Sequence, residues 1–145
     1  MAWDNAFRYD TLICTGKSGG EKEFEVRVEL FPDGTGTGRF YYVKPLPPEE
    51  QSEEHYFASL KEVGQNLLQT EGLKNGLTRY QRYGIGPTLI PRLATALSVQ
   101  IRSSQRRAGD SEMRTDDATG MWERMVRDGS ASYDRTEDRY YCPPR

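Results

Sequence analysis

The chain has 145 residues, of which 35% are hydrophobic, and its 20 basic and 22 acidic side chains nearly cancel. That length suits a single domain. Five Phe, two Trp and nine Tyr with so small a net charge argue against wholesale disorder and against a polybasic nucleic-acid binder. No apolar run reaches the roughly 18 residues that a membrane helix needs, and Met1–Ala6 lacks the charged start and apolar stretch of a signal peptide. The expectation is a cytoplasmic protein, without nucleic-acid or membrane partners, whose Cys14 and Cys142 are reduced thiols. His55 is the only histidine, which removes every His-rich metal site; it reads as a surface helix residue.

Taken in chain order, Phe7 to Cys14 reads as an opening strand closed by the turn residues 15–20. From Phe24 to Leu30 apolar and charged residues alternate, the period of a half-buried strand. The glycine-rich stretch 31–38 then turns the chain into a second strand at Phe40–Val43, giving a hairpin over about 24–44. Its GTGTG run is turn chemistry, because no Lys-Ser/Thr and no helix follow it. Pro45, Pro47 and Pro48 make a connector.

Ser52 with Glu53 and Glu54 has the form of a helix start, and Tyr56, Phe57, Leu60, Val63, Leu67 and Leu68 recur at helical spacing. The spacing predicts a helix over 53–69, or else it hides a strand in Tyr56–Val63. Gly72 to Arg79 reads as a loop or weak strand. A helix is predicted from Pro87 to about Leu97, a short strand at Ser98–Ser103, a helix over about 116–128 and a closing hairpin at 131–142. Charge divides unevenly: residues 1–78 carry 8 basic and 13 acidic side chains, whereas 79–145 carry 12 arginines and 9 acids. An arginine-only half suits a phosphorylated ligand, or simply a solvated surface.

Gln81-Arg82-Tyr83-Gly84-Ile85-Gly86 is the most informative stretch. Two glycines just before a helix let the backbone approach a ligand and aim N–H groups at it. The helix start adds a partial positive charge. Arg79, Arg82 and Arg92 are candidates to surround a pyrophosphate there; the alternative is a glycine turn that merely begins a helix.

Gln81-x-x-Gly84-x-Gly86-x-x-Leu89 resembles the Q/R-x-x-G-x-G/A signature of the GNAT superfamily of N-acetyltransferases. The helix, strand, helix and hairpin expected after it follow that family's order, so the resemblance covers about 79–142, with 1–78 divergent. The resemblance implies a single α+β domain with a GNAT-like mixed central sheet flanked by helices. It also implies acetyl-CoA as co-substrate, held by Gln81, Arg82, Tyr83, Gly84, Ile85, Gly86, Pro87 and Thr88, and acyl transfer from acyl-CoA to an amine acceptor of unknown identity. Trp122 stands where many members carry a tyrosine general acid, and an indole cannot protonate a thiolate. Glu53, Glu54 and Glu62 are candidate bases and Tyr80, Tyr83 and Tyr133 candidate acids, with none singled out by spacing. The alternatives are a non-catalytic GNAT-like binding module and an unrelated small α+β interaction protein.

Overall fold

Side-chain alternation, rather than helical periodicity, organises the first half of the chain. The structure, a computed structural model, describes residues 3, 6–17, 19–33, 36–47, 55–106 and 113–145. Strands β1 (Phe7–Thr15), β2 (Glu21–Asp33), β3 (Gly36–Pro45), β4 (Tyr56–Gly64) and β5 (Leu67–Asn75) form an antiparallel meander in chain order. Phe24 and Val26 of β2 pair into register with Pro45 and Val43 of β3 and are fully buried.

The helix expected over 53–69 is not there. Tyr56, Ala58 and Leu60 are buried and alternate with half-buried Phe57, Ser59 and Lys61, the period of a strand. Tyr56, Phe57, Leu60, Val63, Leu67 and Leu68 also satisfy helical spacing, which is why periodicity alone misassigns the segment. The tight turn at Gln65-Asn66 decides the matter. Asn66 takes a left-handed conformation with φ 55°, which asparagine tolerates, and the chain doubles back into β5. Gly72 looks like a strand breaker, but Phe57 on β4 lies over it, its Cε1 3.7 Å from where a Cβ would stand. Ser52, Glu53 and Glu54 lie outside the described residues. His55 precedes β4, half-buried, with its ring 5.3 Å from Tyr42, and is no helix residue.

The second half has the expected order of elements. Helix α1 (Ile85–Leu97) leads to β6 (Gln100–Arg102), helix α2 (Asp116–Arg127), β7 (Ser132–Asp134) and β8 (Arg139–Cys142). β6 pairs parallel to β5, α1 making the crossover, and β8 inserts between β6 and β7. The expected GNAT-like sheet flanked by helices is nonetheless overturned. The eight strands make one predominantly β structure, and both α-helices among the described residues follow residue 84. One core cluster joins the sheet to both helices through Leu12, Phe24, Tyr41, Leu89, Ile90, Trp122 and Met125. Burying these large side chains supplies the main driving force. Cys14 and Cys142 are buried free thiols. No helix among the described residues is long and apolar enough to cross a membrane.

Candidate functional site

A ring cluster fixes the loop that leads into α1. Residues Thr78–Tyr80 form one turn of 3-10 helix, and Tyr83 N–H donates to the Tyr80 carbonyl at 3.2 Å. Tyr80 meets Phe24 edge-on at 5.3 Å and Tyr83 at 5.1 Å. Gly16, in the turn after β1, lies so close under the Tyr83 ring that a Cβ there would stand 2.8 Å from Cζ. The loop is thus tied to β1 and β2 before the helix begins.

Gly84 is the N-cap of α1, in the left-handed conformation at φ 66°, ψ 40°, which glycine adopts without strain. Its carbonyl accepts from Thr88 N–H at 3.0 Å and from Thr88 Oγ1 at 2.8 Å. Pro87 has no backbone N–H, so Ile85 and Gly86 supply the donors left over by the first turn. No side chain caps this helix, and its first turn contains no acidic residue.

Helix α2 packs over that start. The Arg124 guanidinium lies about 3.0 Å from where a Gly84 Cβ would be, and the Met121 thioether and Tyr56 hydroxyl fill the space beside Gly86. A cation therefore stands at the positive end of α1, with Asp128 at 3.7 Å from it. Cys14 also belongs here. Burial pushes its thiol up, against the lowering pull of the Thr88 hydroxyl and the Arg124 charge.

The eight sequence-predicted residues divide clearly. Gln81 and Arg82 are exposed, the Gln81 amide reaching the Asn75 carbonyl at 3.4 Å. Tyr83, Pro87 and Thr88 are half-buried, and Gly84, Ile85 and Gly86 are buried. Gly86 is a glycine because of helix packing. Arg79 lies over the Tyr80 ring at 5.6 Å, and Arg92 is engaged by Asp10 of β1 at 2.7 and 3.3 Å, about two turns along the helix. Sequence reasoning missed Arg124 and Cys14 at this site. The signal for Arg124 was its three-residue spacing from Met121 on one helix face.

The candidate catalytic groups do not converge. Glu53 and Glu54 lie outside the described residues. Glu62 is exposed at the end of β4, 3.9 Å from Arg39. Tyr80 and Tyr83 belong to the ring cluster. Tyr133 donates to Asp138 Oδ1 at 2.8 Å, and that bond raises its phenol. Trp122 is fully buried and stacks on Tyr140.

A second polar region lies where β6 ends. Buried Arg114 donates to Asp138 Oδ1 at 2.9 Å, to the carbonyls of Ser104 and Asp138, and to Thr119 Oγ1. It forms one wall of an open cavity of about 600 Å³ with Arg106, Met113, Thr115, Asp116 and Asp138. Burial pushes the Asp138 carboxyl up. Hydrogen bonds from Arg106 N–H, Arg114 and Tyr133 outweigh that and hold it at about 2. Arg106, Arg114, Asp116 and Asp138 of the wall are thus already engaged with one another. Among the described residues no cluster of His, Cys, Asp and Glu suits a metal ion.

No protein-family model matches the chain. No curated protein and no solved structure is significantly similar to it either.

Proposed function

We propose that the chain binds an acyl-coenzyme A, with its pyrophosphate at the first turn of α1, and transfers the acyl group to an amine. The observation that carries this reading is Arg124, a guanidinium set over an uncapped, carboxylate-free helix start. Amides of a helix start and a cation on the same side make a demand for an anion, and a pyrophosphate meets it. The surrounding topology supports the choice. β5 and β6 are parallel and pair only over Leu67–Gln69 and Gln100–Arg102, so Gly72–Asn75 has ladder partners in β4 alone. In open α/β sheets ligands bind outside the carboxyl ends of the parallel strands, and β5 with β6 is the parallel pair of this otherwise antiparallel sheet. An extended arm with amide groups would fit along such an edge.

Transfer to an amine then asks for proximity of a neutral amine to the thioester, and for donors to the developing oxyanion. A second reading, a module that binds the thioester without turning it over, is favoured by Trp122, which cannot act as an acid. Calorimetry with coenzyme A and acetyl-CoA tests the binding reading, and absence of heat at millimolar ligand would remove it. Release of free thiol from acetyl-CoA on addition of amines separates transfer from binding alone.

A further inference from the structure

The core-facing side of the sheet loses its cover towards one corner. Along β2, Phe24 and Val26 are fully buried, Val28 is half-buried and Leu30, on the same face, is 52% exposed. Along β1 the change runs from buried Leu12 to Phe7, which is 77% exposed and pairs with Val28. On β3, Tyr41 stands opposite Val28 and Arg39 opposite Leu30. Phe7, Val28, Leu30, Arg39 and Tyr41 are therefore neighbours on one face. The Tyr9 ring closes the group, meeting Tyr41 edge-on at 5.6 Å.

Among the described residues three side-chain polar atoms are closed off from solvent without a hydrogen-bond partner. Two of them, Arg39 Nε and Tyr41 Oη, are in this corner; the third is Trp122 Nε1. Arg39 spans the boundary: its Nε is covered, yet the side chain is 24% exposed and its outer end stands 3.9 Å from Glu62. That separation is too long for a hydrogen bond. Burial pushes the Tyr9 and Tyr41 phenols up, and the Arg39 charge pulls both the other way, as a guanidinium close to the two rings does. The carboxylate of Asp10 does not serve them, being engaged by Arg92 and by Thr11 N–H.

Two neighbouring donors without an acceptor cost stability, and each such group in a folded chain calls for an explanation. Their complement is an oxygen that carries negative charge. One guanidinium, partly balanced by Glu62, suits a single charge, and the exposed Phe7 and Leu30 suit a hydrocarbon body. We propose that this corner binds a free fatty acid of medium chain length. Its carboxylate accepts from Arg39 Nε and Tyr41 Oη, and its chain lies over Val28, Leu30 and Phe7. Leu30, exposed and directly across from Arg39, is the side chain that turns aside to uncover the donors. Binding here is independent of any ligand at the start of α1, whose neighbours are Met121 and Arg124 of α2.

The test titrates the full chain with decanoate, and with decanol as the same body without the charge, following binding by calorimetry. Decanoate should bind at millimolar concentration or below and decanol far more weakly; no heat with decanoate, or equal binding of the two, overturns the proposal. Arg39→Met keeps the apolar stem and removes the donors, and should weaken decanoate about tenfold or more. Leu30→Ser should weaken it about threefold by removing apolar contact. Tyr41→Phe gives a readout of opposite signs. Removing an unpartnered buried hydroxyl should raise the urea midpoint of the free protein, while decanoate binds about two- to twelvefold more weakly. A lowered midpoint would mean that the hydroxyl already has a partner, and would overturn the proposal even if Arg39→Met failed to fold. Sedimentation of the free protein tests the competing cover. A dimer that Phe7→Ser or Leu30→Ser splits would assign the corner to a second copy of the chain and sink the fatty-acid site.

Discussion

The two α-helices begin in opposite ways. Helix α2 is complete in itself: Thr115 Oγ1 accepts from Ala118 N–H at 3.1 Å, and Asp116 and Asp117 set negative charge in the first turn. Helix α1 begins on a left-handed glycine with no side-chain cap and no acid, and an arginine from α2 sits against it. One start has answered its own electrostatics from within the chain. The other has had positive charge added to it. That difference, more than the glycine pattern itself, is what supports the proposal of an anionic ligand at α1.

The sharpest way to break the comparison is to fill the space beside Gly86. A valine there would drive its Cβ into the Met121 thioether and to within 2.7 Å of the Tyr56 hydroxyl position. Tyr56 is buried in the core cluster, so Gly86→Val should cost about 3 kcal/mol, as overpacking does. The urea midpoint without ligand measures it. A variant that kept its stability would show that the Cβ side of Gly86 is open space rather than filled by α2.

Thr115→Ala tests the self-sufficient start. Loss of the cap should destabilise the protein by about 1 kcal/mol and leave ligand affinity unchanged. A loss of coenzyme A affinity in this variant would move the binding site from α1 to α2.

Asp138, in the loop beside α2, should show in acid. Its carboxyl is held at about 2 in the folded chain, against about 3.9 unfolded. A depressed folded value means that its contribution is present above about pH 4 and is lost as pH falls towards 2. The side chain is 36% exposed, so solvent screening keeps the effect small. Asp138→Asn should therefore lower the urea midpoint at pH 5 and match the wild type near pH 2. A constant difference across that range would assign the loss to packing.

Legibility in the sequence follows the same division. Helix α1, β6, α2 and the closing hairpin were readable because capping residues, glycines and apolar spacing agree there, as Thr115, Asp116 and Gly129 do around α2. The β4–β5 hairpin was not, because Tyr56 to Leu68 satisfies both periods and the arbitration comes from Asn66 and from Phe57 covering Gly72. With that hairpin in place of a helix, the helix-flanked sheet implied by the family resemblance gives way to an eight-stranded one. At the site, the glycine pair was visible but its reason was not. Gly86 makes room for α2, a contact between residues 35 positions apart that no local pattern encodes.

The smallest expected change in stability is at Arg124, and it bears most directly on the comparison. Its contact with Asp128 is 3.7 Å long between two partly exposed groups, so it contributes little. Removing the guanidinium also relieves α1 of a like-signed neighbour. Arg124→Ala should therefore leave stability within about 0.5 kcal/mol of the wild type. Coenzyme A affinity should fall about tenfold at low salt, with the gap narrowing as ionic strength rises, because the contact is charge-assisted and partly exposed. Arg124→Lys, keeping the charge without the planar fork, should recover part of the loss. If Arg124→Ala instead binds as the wild type does, the two helix starts differ for reasons of packing alone, and the anion demand at α1 disappears with them.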